Sequence, residues 1–488
     1  MGSRVVAQSF LAICVLVSAT PHLSAQQPTS QDYFQLQQLL LEQEARLQQL
    51  EENRLPSTIQ NVSTTNSFLE SRVAELEELV NEIGKEKPAN GKPTQKWFGR
   101  VNYDYWAFPD ASQLANFLET ADPTIAPRDF AGFRRLRFGV QGDIGDTMLY
   151  KVAMDWATPE NPSFKDAYFG WKDLPILRTL LLGNQKRPYG LDALNSSRYN
   201  VFIERPYHVD AFNQDARRVG LQSYGLSENE RWNWRYGYNI MDDLQKSGLQ
   251  YTDNYQSEFA GRLANTIWYD ESSGGRRYAH WAISGSAAFP GGGPDARFAT
   301  RPEARTSKKW FDTGVIAGAN RYQLLGFEGV VNVGALQVVG EYQQANVERT
   351  AGFGPDLDFG GYYVYAAYFL TGEHTPWVRK SGTIGRVKPF ENFFLVDKWH
   401  GGHGGSWGAW QIGARYSHAD FTDDNIFGGV GDSMTFALNW WWTAYSRMQF
   451  NYIYGNIGQR AAVGGAPLVA GTTSGDYHIF GTRFMVDF

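Results

Sequence analysis

Period-two alternation runs through most of the chain beyond residue 96. In the final stretch, Phe480, Thr482, Phe484, Val486 and Phe488 fall on one face, and Gly481, Arg483, Met485 and Asp487 on the other, which is the side-chain period of a strand. The pattern opens with Val101, Tyr103 and Tyr105 against Asn102 and Asp104. It continues with Leu136, Phe138 and Val140 against Arg135 and Arg137, then Tyr150, Val152, Met154 and Trp156 against Lys151 and Asp155. It returns at Leu336 to Gln343, Trp410 to Ser417, Met434 to Trp442 and Met448 to Tyr454. A face of large apolar residues backed by a polar, charged face suits a transmembrane barrel, with lipid outside and water in the lumen. No later stretch offers the ~18 consecutive apolar residues of a membrane-spanning helix. A closed barrel is the other backbone arrangement that satisfies its hydrogen bonds in lipid. The expected fold is an all-β transmembrane barrel of antiparallel strands over residues 96–488.

The segment before it has a different period. Leu36, Leu40, Leu47 and Leu50, with Gln43 at one seam position, follow heptad spacing, as do Leu69, Val73, Leu76, Val80 and Ile83. These read as two short α-helical coiled-coil segments, broken by Arg54 and Pro56. Each is too short to be stable alone, so they would join subunits already held together, or fold on themselves as a hairpin. Arg4, the apolar run Val5 to Val17 and the small residues up to Ala25 read as a secretory signal peptide over residues 1–25. The expected order is then a periplasmic coiled coil over 26–84, a linker over 85–95 and an outer-membrane barrel. The one cysteine, Cys14, lies inside the signal, and Ile13 before it is too large for a lipobox.

Counting strands from a periplasmic amino terminus assigns the loops. Residues 110–127 form the first external loop, Gly142 to Asp146 a tight turn, 157–165 the second external loop and 187–216 the third. A loop as long as the third is usually functional. With its flanks it holds Lys186, Arg187, Arg198, Arg205, Arg217 and Arg218 against Asp192, Glu204, Asp210 and Asp215. Glu204 or Asp215 pairing with Arg205 or Arg218 would merely pin it. Trp440 to Trp442, Tyr362 and Tyr363 are candidates for the aromatic girdles at the two interfaces, which most of their parities favour over a slide of aromatics for sugars inside the pore. The net charge of −6 says little, because a pore responds to the sign of its lining.

Other motifs carry less. His400 and His403, in WHGGHGG, lack an evident third metal ligand and read as a glycine-rich external loop. Ser417 and His418 would point to opposite faces of a strand, so they form no catalytic relay with Asp420. Neither a metal nor a cofactor is expected, and nothing points to nucleic acid.

The segments FRRLRFGVQGDIGD, YKVAMDWA, KDAYFGW, GNQKRPYGLDALNSS, FIERP, RRVGLQ, GEYQQA, YFLTGE, GAWQIGARYS and LNWWW, in this order from about Gly99 to Phe488, resemble the phosphate-selective porin O and P family. The terminal Phe488 also resembles the sorting signal of outer-membrane barrels. In the family phrase G-Q-F-K-x-P-F-G this chain has Gly183, Asn184, Gln185, Lys186, Pro188, Tyr189 and Gly190. The resemblance implies sixteen strands, a homotrimer in the outer membrane, and passage of phosphate or other small anions along an arginine-lined path. The candidate lining is Arg135, Arg137, Lys186, Arg198, Arg205, Arg217, Arg218 and Arg415, with Arg483 sharing the inward parity. Lys186, Arg198 and Arg205 would stand at a constriction made by the third loop. Two other readings remain open: a porin for carboxylates or sugars, and an envelope tether working through the coiled coil, in contact with the periplasm or cell wall.

Overall fold

A computed structural model describes residues 92–488 apart from 159, 161, 214–215, 242–255, 291–295, 395, 398–401 and 463. The signal peptide, the coiled coil and most of the linker lie outside the described residues.

Sixteen antiparallel strands among the described residues close into one barrel. They are β1 (Lys96–Ala111), β2 (Phe130–Ile144), β3 (Met148–Asp155), β4 (Ser163–Leu174), β5 (Arg178–Lys186), β6 (Arg217–Leu226), β7 (Trp232–Ile240) and β8 (Ser257–Tyr269). The second half comprises β9 (Arg277–Phe289), β10 (Ala319–Val333), β11 (Leu336–Arg349), β12 (Leu357–Phe369), β13 (Ala409–Asp423), β14 (Ile426–Thr443), β15 (Ser446–Arg460) and β16 (Gly475–Asp487). Each strand pairs with its sequence neighbour, and β16 returns to β1 with Val101 opposite Val486 and Tyr103 opposite Phe484. Across this seam, on the lumen side, Arg483 Nε and Nη2 donate to the two oxygens of Asp104 at 2.7 and 2.6 Å.

The alternation is realised as expected: Tyr105, Phe138, Val152, Phe436 and Phe484 are exposed on the outer face, while Asp104, Arg135, Asp155, Thr435 and Arg483 are buried inside. Trp440, Trp442 and Tyr362 share the outward parity. Trp441 and Tyr363 do not: both are buried inside, so they are no part of a girdle.

The chain enters β1 and leaves β16 at one rim, the near rim. Tight connections at 145–147, 175–177, 334–335 and 444–445 join strands there. One near-rim connection departs from this, residues 370–408 between β12 and β13. It carries His403, which stands at the rim of the short turns; His400 lies outside the described residues. β13 and β14 meet at the opposite, far rim through residues 424–425 alone.

Three insertions fill much of the lumen. Beyond α1 (Gln113–Thr120), which lies between β1 and β2, there come from the far rim residues 187–216, with α2 (Leu191–Leu194) and α3 (Tyr207–Asn213), and residues 290–318; from the near rim comes part of 370–408. Tyr207, Phe212, Phe298, Trp310 and Phe311 pack against inward Phe359, Phe421, Ile453 and Ile479. Leu191, Val209, Trp377 and Ile384 pack against inward Tyr278, Val339 and Tyr365. At ~1.5–3 kcal/mol for each large apolar side chain taken from water, such clusters hold the insertions in place. The lumen is therefore partly a packed core, and open space is left along the β1 to β7 wall.

Candidate functional site

That space is a cavity of about 620 Å³, walled by β1 to β7 on one side and by residues 187–216 on the other. Twelve cationic side chains line it: Arg100, Arg134, Arg135, Arg137, Lys151, Lys165, Lys186, Arg198, Arg205, Arg217, Arg235 and Arg305. Three carboxylates stand among them, Asp155, Asp166 and Asp210. In a chain of net charge −6 this excess is local, although Glu204, Asp192 and Asp487 stand just outside the lining against Arg134, Arg205 and Arg198.

Strict alternation would send either Arg134 or Arg135 to lipid, yet both reach the cavity. Asn102 pairs with Arg135 and the next residue, Tyr103, pairs with Phe133, so Arg134 is the extra residue of a β-bulge. A bulge re-aims one side chain at no cost to the rest of the register. Arg134 then donates from Nε and Nη2 to Glu204 at 2.8 and 3.1 Å. Burial alone would raise the Glu204 carboxyl, but Arg134, Arg483 and Arg135 outweigh it and hold it well below the usual range. The sequence-based partners of Glu204, Arg205 and Arg218, are replaced by Arg134 and Arg483.

Several predicted lining residues are already engaged. Lys186 Nζ donates to the carbonyls of Ala193, Leu194 and Asn195 at 2.7, 2.8 and 2.7 Å, closing the C-terminal end of α2. Arg205 Nε lies 2.8 Å from Asp192 Oδ1. Arg137 Nε donates to Asp155 at 2.7 Å, and Arg217 Nε to Asp166 at 2.7 Å. Arg198 Nε is 2.9 Å from Asp487 Oδ2, near enough for an ion pair though off line for a hydrogen bond. Arg135 differs: it is 4% exposed, and its Nε and Nη1 have no hydrogen-bond partner among the described residues.

Arg218 and Arg415 are buried away from the cavity. Arg218 Nε donates to the carbonyl of Met241 at 2.7 Å. Arg415 Nη2 donates to Glu303 at 2.7 Å, and its guanidinium lies 4.5 Å over the Phe202 ring. Their parity is inward, as the alternation requires, but the chain leaving β7 holds Arg218 and the far-rim insertions cover Arg415. Arg100, Lys165, Arg235 and Arg305 line the cavity without having been singled out by sequence reasoning. Inward parity was available for Arg100; for Arg305, which arrives on the far-rim insertion, no local pattern was.

Residues 187–216 reach the cavity because the chain turns sharply at Gly190, whose φ of 75° and tight surroundings exclude a side chain: a Cβ would come within 2.5 Å of Glu341 and Gln343. On β13, Ser417 faces the lumen, while His418 lies on the outer face with Nδ1 2.9 Å from Asp432.

The model of a family described as phosphate-selective porin O and P matches residues 115–488. An uncharacterized protein of Caulobacter vibrioides is 25% identical over 371 residues, 73% of this chain and 68% of that protein. Among solved structures, OmpT of Vibrio cholerae in its trimer form is similar over 81% of this chain and 99% of its own, at 13% identity and a TM-score of 0.47. The anion-selective porin from Comamonas acidovorans is similar over 81% and 100%, at 12% identity and a TM-score of 0.46.

Proposed function

This chain belongs to the phosphate-selective porin O and P family, and on that footing we propose that it passes small anions, phosphate among them, across the outer membrane through the cavity along β1 to β7. The near rim is then periplasmic and the far rim external. The observation that carries the reading is the ratio of twelve cations to three carboxylates around the cavity.

The strength of the field is set by the width of the passage. A mobile counter-ion cloud needs about 8 Å to neutralise a fixed charge at physiological salt, and a narrower passage has no room for it. Two unit charges about 6 Å apart then interact by roughly 0.7 kcal/mol at the dielectric of water and by roughly 3 kcal/mol at an effective value near 20. Several such terms together favour anions over cations by more than tenfold. Paired arginines contribute charge, and so does Arg135, whose Nε and Nη1 are unpaired among the described residues but closed off from the cavity's solvent. A guanidinium fork matches two phosphate oxygens and gives chloride no such advantage. Stepwise exchange between cations lets an ion bind well enough to enter and weakly enough to leave.

Organic carboxylates form a second reading, favoured by the Phe98, Tyr168 and Tyr224 rings in the same lining. The reversal potential in a salt gradient, followed by block of chloride current with phosphate and with a carboxylate, separates them. Cation selectivity in that gradient overturns both. We also propose a homotrimer joined mainly through the barrel wall, with the heptads of residues 31–83 assisting from the periplasm. Cross-linked mass with and without that segment tests it, and monomers alone after its deletion would reverse the two roles.

A further inference from the structure

The last residue of β16 joins parts of the protein that enter the lumen from opposite rims. Asp487 is 2% exposed. Its Oδ1 accepts from Arg386 Nη1 at 3.1 Å, and its Oδ2 from Arg386 Nη2. Arg386 belongs to the near-rim insertion, and Arg198, 2.9 Å from the same carboxylate, to the far-rim one. The two insertions also touch directly. Ile384 N donates to Asn195 Oδ1 at 3.0 Å, and the Arg386 guanidinium lies 5.5 Å over Tyr199 and 4.2 Å over Tyr445. Arg198 Nη2 reaches the carbonyl of Gly99 on β1 at 3.3 Å. One carboxylate therefore sits where the closing seam, the far-rim loop and the near-rim insertion converge.

The geometry points to Asp487 as a positioning residue that locks the walls of the passage when the barrel closes. Arg198 and Arg386 are like charges that converge on one anion, so without it they repel, and each loses a charge-assisted partner. Until β16 has paired with β1 that anion is not in place, so neither insertion has its near-rim anchor. Narrowing of the passage follows barrel closure and depends on it. The inference rests on the conduction reading only for its electrical readout.

The test compares the full chain with D487N and R386Q in planar bilayers, and measures amide exchange over residues 193–203 and 383–388. Losing charge-assisted bonds shifts the ratio of docked to undocked insertions by about tenfold or more. Both variants are expected to form heat-modifiable barrels, to show open-channel flicker and sublevels absent from the wild type, and to exchange faster in both segments. D487E should restore part of the quiet current. If D487N fails to assemble because it alters the closing strand, R386Q decides, since that strand is untouched. Quiet currents and unchanged exchange in an assembled R386Q barrel overturn the inference. Absent anion selectivity in the wild type would instead sink the conduction reading, while the exchange comparison would still decide the role of Asp487.

Discussion

The ammonium of Lys186 lies 2.7 Å from the carbonyl of Asn195, and with Ala193 and Leu194 this accounts for all three of its protons. Its side chain lines the cavity but has no donor left for a passing ion. Lys186 therefore acts as the cap of α2 and contributes to conduction through its charge alone. Lys186→Gln is expected to loosen residues 187–216 by at least about 3 kcal/mol, since hydrogen bonds to charged groups contribute roughly 1.5–3 kcal/mol each and three carbonyls would be left without their donor. Thermal unfolding of the purified barrel measures the loss. A variant as stable as the wild type would show that these bonds are replaced.

Arg135 is the opposite case, a buried guanidinium with unpaired N–H groups. Arg135→Gln should keep or raise stability, because an uncompensated buried charge is costly to hold. The same change should weaken phosphate block of chloride current by roughly threefold or more, the loss of one lining cation's attraction of at least about 0.7 kcal/mol. The reversal potential should move toward cations. Unchanged block would remove Arg135 from the path.

Arg483 shares the inward parity that marks lining residues but belongs to the seam. It pairs with Asp104 across β1 and β16, and with Glu204 at 2.7 Å. Arg483→Gln would leave both carboxylates buried with one partner fewer, a change that typically costs about 3–5 kcal/mol. The expected outcome is a lower temperature for conversion to the unfolded electrophoretic form, with little change in phosphate block. Loss of block at unchanged stability would return Arg483 to the path.

These three residues also show how far the sequence reaches. Period two places Arg135 and Arg483 inward correctly, because a barrel strand has only two faces and lipid tolerates no charge on one of them; Lys186 shares the parity of exposed Leu182 and turns inward only at the very end of β5. It cannot say which of the three is free, since their partners depend on how the chain folds back: Leu194 on a loop that turns into the lumen, Asp104 on the strand that meets β16 from 379 residues earlier in the chain. Parity also assumes an unbroken register, so the bulge at Arg134 escaped it. Inward Phe359, Phe421, Ile453 and Ile479 were a legible sign that the lumen is partly packed. They stand on the face expected to meet water, where such residues need a cover.

The remaining prediction concerns acid. His208, on α3, is buried beside Tyr363 with neither ring nitrogen bonded among the described residues. Burial, with lesser contributions from Arg415 and His418, pushes its imidazole down to about 3. An undocked loop would carry an ordinary histidine that accepts a proton near pH 6.5. The depressed value fixes the sign. The stabilisation from keeping this ring neutral is fully present above about pH 6.5 and falls as the pH drops toward the docked value, reaching a loss of about 2 kcal/mol at pH 5. Glu204 adds nothing in that window, because its carboxyl stays ionised while docked and, near pH 5, largely so when undocked. Open-channel noise in chloride should therefore rise between pH 7 and pH 5, and H208Q should flatten the rise, since its amide does not titrate in that range. If the variant keeps the wild-type pH dependence, the acid-sensitive group lies elsewhere on the wall, and His208 is only a packed ring.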